Sequence, residues 1–232
     1  FEIVSGFTTT GSSIIPKVED MSHATLMWRS FSHWIGGMGI LVFILAILPM
    51  AGDYNMHIMR AESPGPSVGK LVPKIRITAK LLYTIYFCMT IVMMILLLIG
   101  KMPLFDSICM SFGAAGTGGF ACRNSGQADY TVYQQAVITI FMLLFGVNFN
   151  VYYLLLIRRP KDAGRCEELR GYLAVVAIAI LLITINIRNL FPSLFMAFHQ
   201  AAFQVSSIIT TTGYSTIDYN SWPEFSKTIL LL

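Results

Sequence analysis

The chain has 232 residues, 55% of them hydrophobic and 12% charged, against roughly 25% charged in an ordinary soluble domain. A soluble surface cannot be built from that composition, and 16 Phe, 10 Tyr and 13 Met carry too much apolar surface for a disordered coil. The net charge of +4 and mean hydropathy of +0.67 exclude a nucleic-acid binder and leave an integral membrane protein.

The chain opens at Phe1 with no initiator Met, no basic leader and no cleavage site, and stops at Leu232 inside an apolar run. That is the pattern of an internal fragment. Charge-free stretches at 31–50, 81–100, 130–157 and 171–187 predict four membrane spans, each near the 20 or so residues a helix needs to cross the hydrocarbon core. Residues 226–232 read as the start of a fifth. Two shorter segments, 104–115 and 192–209, open at or just after a proline. The first is about 18 Å long as a helix, half a bilayer, and predicts re-entry instead of crossing.

Charge asymmetry orients the spans. Residues 51–80 carry five of the 16 basic residues and 158–170 carry five more, whereas the remaining polar stretches share six basic and seven acidic residues. The two basic loops are thereby cytoplasmic and the other stretches lie outside. Cys88, Cys109, Cys122 and Cys166 show no C-x-x-C spacing, and His23, His33, His57 and His199 no metal or dyad spacing. Inert thiols and structural histidines follow.

An internal repeat is the informative feature. Phe1 to Gly11 reads FEIVSGFTTTG and Phe203 to Gly213 reads FQVSSIITTTG, with GTGGF at Gly116 to Phe120 as a weaker third copy. All three fall on the outer side, and the second and third each follow a half-length segment. The expected fold is an all-α integral membrane protein of repeated helix, re-entrant pore helix, filter loop, helix units. Residues 1–50 hold the end of a first repeat, 51–80 a linker, 81–157 a complete second repeat, 158–170 a second linker and 171–232 a third.

Irregular backbone survives in a membrane only where it lines a water-filled cavity. Carbonyl oxygens in such loops are hard ligands able to replace the hydration shell of a monovalent cation. The half-helices aim their partly negative C-terminal ends at the same place, favouring cations over anions. The candidate ligands are the backbones of Thr9, Thr10 and Gly11, of Thr117, Gly118 and Gly119, and of Thr211, Thr212 and Gly213. Glycine closes each triplet because a filter strand uses backbone angles that a Cβ forbids. Gly146, Asn148 and Asn150 are candidates for the cavity or a hinge, with helix packing and interhelical hydrogen bonding as the competing readings. The GGMG run at Gly36 to Gly39 sits inside an apolar span and reads as close helix packing, not phosphate binding.

These loops look like degenerate versions of the T-V-G-Y-G potassium filter. With Trp28-Arg29, WIGGMGI at 34–40, Leu48-Pro49, RAESPGP at 60–66 and GVNFN at 146–150, the chain resembles the Trk/Ktr/HKT superfamily of potassium transporters, in particular the bacterial TrkH type. The resemblance implies four linked repeats around one pore. By that reading this chain lacks the first helix and pore helix of the first repeat, most of the second helix of the third, and the fourth repeat. Ser13, Ala121 and Ser215 stand where a potassium channel has its second filter glycine, which implies fewer ion sites and looser selectivity. The resemblance also implies potassium as the transported ion and no covalently bound cofactor. It further implies residence in the bacterial cytoplasmic membrane, a homodimer, and a cytosolic nucleotide-binding regulatory subunit of the TrkA/KtrA type.

Two rival classes are disfavoured. A membrane-embedded enzyme needs an acid, base or nucleophile within the membrane, and the predicted spans contain no acid. A sodium- and potassium-permeable or ion-coupled secondary transporter is the closer alternative, but inverted-repeat transporters break their helices at the midplane, not after outward half-helices.

Overall fold

The computed structural model describes residues 1–39 and 75–231, all helix, turn and loop with no strand among them. The second half of the first predicted span, Leu48-Pro49, the 60–66 run and most of the 51–80 linker lie outside the described residues. Ten α-helices follow in order: α1 (Glu2–Phe7), α2 (His23–Gly37), α3 (Ile75–Ile99), α4 (Leu104–Ala115), α5 (Val132–Phe145), α6 (Phe149–Leu156), α7 (Pro160–Gly164), α8 (Glu167–Ile187), α9 (Leu194–Ile209) and α10 (Glu224–Leu231).

Among the described residues, two helices are each long and apolar enough to cross a membrane, the stretches Ala79–Ile99 and Glu167–Leu190, with mean hydropathy 2.5 and 2.2. Only 28% and 22% of their apolar windows are buried by protein. Phe87, Val92 and Ile95 on α3, and Val175, Ile178 and Leu181 on α8, point outward. An apolar face of this kind is suited to hydrocarbon or to another apolar protein surface, not to water.

The short helices α4 and α9 occupy the predicted half-length segments. Pro103 precedes α4 and Gly116 ends it, while α9 starts at a Ser193 cap whose hydroxyl accepts the Met196 N–H at 3.2 Å. Glu2–Phe7 forms a short helix directly ahead of the first loop.

Residues 130–157 do not form one straight helix. Helices α5 and α6 are bent by 88° at the break between Phe145 and Phe149. Asn148 starts the new helix by accepting the Asn150 N–H at 2.9 Å. The carbonyls at the end of α5 are claimed by tyrosines: Tyr172 donates to Leu143 O at 3.2 Å and Tyr152 to Leu144 O at 2.6 Å. A helix broken inside a membrane needs such replacements, because no water satisfies the freed groups there.

The repeats interlock in chain order. Helix α2 packs on α1 of its own repeat and on α4 of the next, and α5 packs on α4 and then on α9 of the following repeat. Tyr86, Met93, Leu97, Met110, Ile138, Met142 and Phe203 form the largest buried cluster among these helices. Gly36 and Gly37 permit the close approach: a Cβ on Gly36 would lie 2.4 Å from Phe7 O, and one on Gly37 would lie 2.6 Å from Gly116 Cα.

Candidate functional site

The three repeated loops share one backbone conformation, built where α1, α4 and α9 end. In the first loop the Thr9 N–H donates to Gly6 O at 3.0 Å and the Thr10 N–H to Ser5 O at 2.9 Å. In the second, Thr117 donates to Ala114 O and Gly118 to Gly113 O, both at 3.1 Å. This is the Schellman ending of a helix, whose left-handed residue is usually glycine. Here it is threonine each time, Thr9 at φ 53°, Thr117 at 49° and Thr211 at 58°. A β-branched residue in that region is strained by about 1–3 kcal/mol, a cost that persists only where the surroundings dictate the conformation. Two residues later Gly11, Gly119 and Gly213 have φ of 75°, 76° and 80°. The third loop differs in one bond, Gly213 N–H donating to Ser207 O at 3.2 Å.

The loops stand side by side in chain order. A Cβ on Gly11 would lie 1.9 Å from the carbonyl oxygen of Gly118, and a Cβ on Gly119 would lie 1.9 Å from that of Thr212. Each middle carbonyl therefore abuts the glycine of the preceding loop. Gly213 has no described atom within 4 Å of the same position. The nine predicted ligand residues thus lie in three similar triplets, each next to the one that follows it in the chain.

Among the described residues, no hydrogen bond is accepted by the carbonyl oxygens of Thr9, Thr10, Gly11, Thr117, Gly118, Gly119, Thr211, Thr212 or Gly213. The carbonyls immediately beyond are all held by hydroxyls. Ser5 donates to Ser12 O at 2.7 Å, Ser207 to Tyr214 O at 2.6 Å, and Tyr214 to Phe120 O at 3.1 Å. Each run of carbonyls without donors is followed by a carbonyl that has one, and sits at the C-terminal end of a helix whose dipole favours positive charge. Such an arrangement binds a hard, weakly charged cation by replacing its water.

Side chains brace the loops from behind. Thr8 and Thr210 each donate one turn back along their helix, to Val4 O at 2.8 Å and Ser206 O at 2.7 Å, and share a hydrogen bond with Thr10 and Thr212 at 2.8 Å. Arg29, 4% exposed, pairs through Nε with Glu2 at 2.6 Å, donates through Nη1 to Ala121 O at 3.2 Å, and lies 3.5 Å from the centre of the Phe120 ring. His33, one helical turn further, stacks on Phe120 at 3.9 Å, and its ring fills the space next to Gly118. Sequence reasoning assigned no site role to either residue. Their i, i+4 spacing was the available signal, since it places both on one face of α2.

The other candidates lie at the break between α5 and α6. A Cβ on Gly146 would come within 2.7 Å of the Thr210 methyl, directly before the third triplet. Asn148 donates through Nδ2 to Glu168 at 2.9 Å at the start of α8, while the Asn150 side-chain oxygen is buried without a partner among the described residues. No group of His, Cys, Asp and Glu among the described residues has the geometry of a metal site.

At the molecular surface Asn124 joins the first two repeats. It donates through Nδ2 to Pro16 O at 2.9 Å and accepts the Val18 N–H at 3.1 Å. Its own N–H donates to Glu19 at 2.5 Å, and this bond holds the Glu19 carboxyl below its usual range.

Residues 1–195 match the family described as TrkH, cation transport protein. The Trk system potassium uptake protein TrkH of Salmonella typhimurium is 36% identical over 237 residues, covering all of this chain and 49% of that protein. TrkG of Escherichia coli K12 is 33% identical over 236 residues, again covering 100% and 49%. The crystal structure of the potassium transporter TrkH from Vibrio parahaemolyticus superposes with a TM-score of 0.82 at 30% identity, over 99% of this chain and 47% of that one. The chain thus spans about half the length of the relatives it matches. With three similar loops, the helix order and a family match across most of its length, this chain belongs to the TrkH family of cation transport proteins.

Proposed function

We propose that this chain is part of the pore-forming subunit for potassium uptake across the bacterial cytoplasmic membrane. The supporting observation is the set of nine carbonyls, on Thr9 to Gly11, Thr117 to Gly119 and Thr211 to Gly213, that accept no hydrogen bond among the described residues while the carbonyl following each triplet does. A cation stripped of water needs several oxygens at once, and adjacent loops supply them from rigid helix ends. The names of the relatives favour potassium uptake over a sodium-permeable or ion-coupled reading and over any enzyme.

Gly146, Asn148 and Asn150 serve the conduction path through the helix break, which touches the foot of the third loop at Thr210. The two basic segments, 51–80 and 158–170, face the cytoplasm and offer the contact for a nucleotide-binding regulatory subunit, and the whole protein works as a homodimer in the bilayer. These assignments rest on the family resemblance and the charge pattern.

Tracer uptake of potassium, rubidium and sodium by the whole protein, in cells without their own potassium uptake, tests the proposal. Uptake with potassium and rubidium preferred over sodium is expected. Equal uptake of all three, or none, would refute it.

A further inference from the structure

The hydroxyl that holds the carbonyl beyond each filter glycine comes from the repeat's own helix in the first and third repeats and from a neighbouring repeat in the second. In the first repeat it is Ser5, donating to Ser12 O at 2.7 Å, and in the third it is Ser207, donating to Tyr214 O at 2.6 Å. The equivalent position in the second repeat is Gly113, which has no hydroxyl. Phe120 O, the equivalent carbonyl, accepts instead from the Tyr214 hydroxyl at 3.1 Å, across a separation of 94 residues.

The missing side chain makes the space for this exchange. A Cβ on Gly113 would lie 2.2 Å from the Tyr214 hydroxyl oxygen and 3.0 Å from Phe120 O. The tyrosine oxygen thus occupies the place of a serine hydroxyl. Tyr214 is 2% exposed, so its hydroxyl has no water to bond instead, and Phe120 O would be left without a donor if it were removed.

We propose that Tyr214 is a positioning residue for the second filter loop: its hydroxyl sets the Phe120 peptide, and with it the Gly119 carbonyl, so that selectivity at one loop depends on a side chain from the next. Ser207 fixes the Tyr214 main chain, and Tyr214 fixes the Phe120 main chain, which links the third loop to the second in one chain of hydrogen bonds. The inference rests on the reading of these loops as a potassium filter.

The test measures potassium and sodium uptake by the whole protein as wild type, Tyr214→Phe, Gly113→Ser, and the double variant Gly113→Ser/Tyr214→Phe. The ratio of the two uptakes does not depend on how many copies reach the membrane, so it separates positioning from a general loss of fold. Tyr214→Phe is expected to lower the potassium-to-sodium ratio by about three- to tenfold, the effect of losing one hydrogen bond to a buried carbonyl. Gly113→Ser alone is expected to be harmful, because two hydroxyls would contend for one place. The double variant restores a local serine hydroxyl and is expected to recover the ratio.

An unchanged ratio in Tyr214→Phe, or a double variant no better than Tyr214→Phe, overturns the inference while leaving the potassium reading intact. If Tyr214→Phe abolishes flux, recovery in the double variant supports the inference and failure to recover overturns it. Wild-type uptake without potassium preference overturns the filter reading and this inference with it.

Discussion

Gly119 lies against the main chain of Thr212 so closely that a Cβ on the glycine would sit 1.9 Å from the threonine carbonyl oxygen. Gly119 also has φ of 76°, a conformation that L side chains rarely adopt. Gly119→Ala therefore combines backbone strain with displacement of a neighbouring loop's carbonyl. Gly213→Ala, at φ 80° with no described atom within 4 Å, adds only the strain. Gly119→Ala is expected to abolish potassium-selective uptake, with Gly213→Ala no worse than that. Uptake measured at matched membrane abundance checks the order, and a Gly119→Ala protein that keeps wild-type selectivity contradicts the geometry.

Arg29 makes three contacts with one guanidinium, to Glu2, to Ala121 O and to the Phe120 ring. Lysine carries its charge at a single point and cannot reproduce the fork. Arg29→Gln leaves a mostly buried Glu2 without its ion partner, a change expected to cost about 3–5 kcal/mol. Glu2→Gln/Arg29→Gln removes both charges and is expected to be more stable than Arg29→Gln alone. Thermal unfolding of the four proteins in detergent measures the coupling. A double variant less stable than the Arg29→Gln protein would show that the pair is not what holds Arg29 in place.

At the break between α5 and α6, Gly146 has φ of −75°, so alanine fits its backbone. The obstruction is at side-chain tips: the new Cβ would be 2.7 Å from the Thr210 methyl and 2.8 Å from the Tyr172 hydroxyl. Tyr172 must then turn away, and Leu143 O loses its donor. Gly146→Ala is expected to destabilise by about 1 kcal/mol, the cost of losing a hydrogen bond to a partly buried carbonyl. Gly146→Ala/Tyr172→Phe should destabilise no further than Gly146→Ala, because the hydrogen bond is already gone. Additive losses in unfolding experiments would place the damage elsewhere.

The half-helix at Leu104–Ala115 was legible because Pro103 and Gly116 punctuate it, and the three loops because a repeated threonine-glycine pattern survives at fixed offsets from the helix ends. The break at residues 146–148 was not, because counting charges reports how apolar a stretch is and says nothing of its direction. Gly146 and Asn148 carried the signal, a glycine at a helix end followed by a side chain able to cap a new one. The bracing of Phe120 by Arg29 and His33, and the exchange of a serine for Tyr214, depend on which repeats become neighbours. No local pattern encodes that.

Glu19 and Asn124 form a surface clasp whose strength depends on pH. The Glu19 carboxylate accepts the Asn124 N–H at 2.5 Å, which lowers its pKa from an ordinary 4.5. A group with a depressed folded-state pKa contributes its full stabilisation above the unfolded value and loses it as the pH falls through the folded one. The clasp is therefore closed at neutral pH and opens only in the acidic range below 4.5. Glu19 is fully exposed, so water and salt limit what the bond contributes to global stability. The readout is local: hydrogen exchange at the Asn124 amide, corrected for its intrinsic pH dependence, should be protected at neutral pH and lose protection on acidification. Glu19→Gln retains an oxygen acceptor without the charge, so its protection should be weaker at neutral pH and independent of pH through this range. A wild-type amide whose protection does not change between neutral and acid, or a Glu19→Gln protein that follows the wild-type curve, would assign the clasp to the Asn124 side chain and its bonds to Pro16 and Val18 alone.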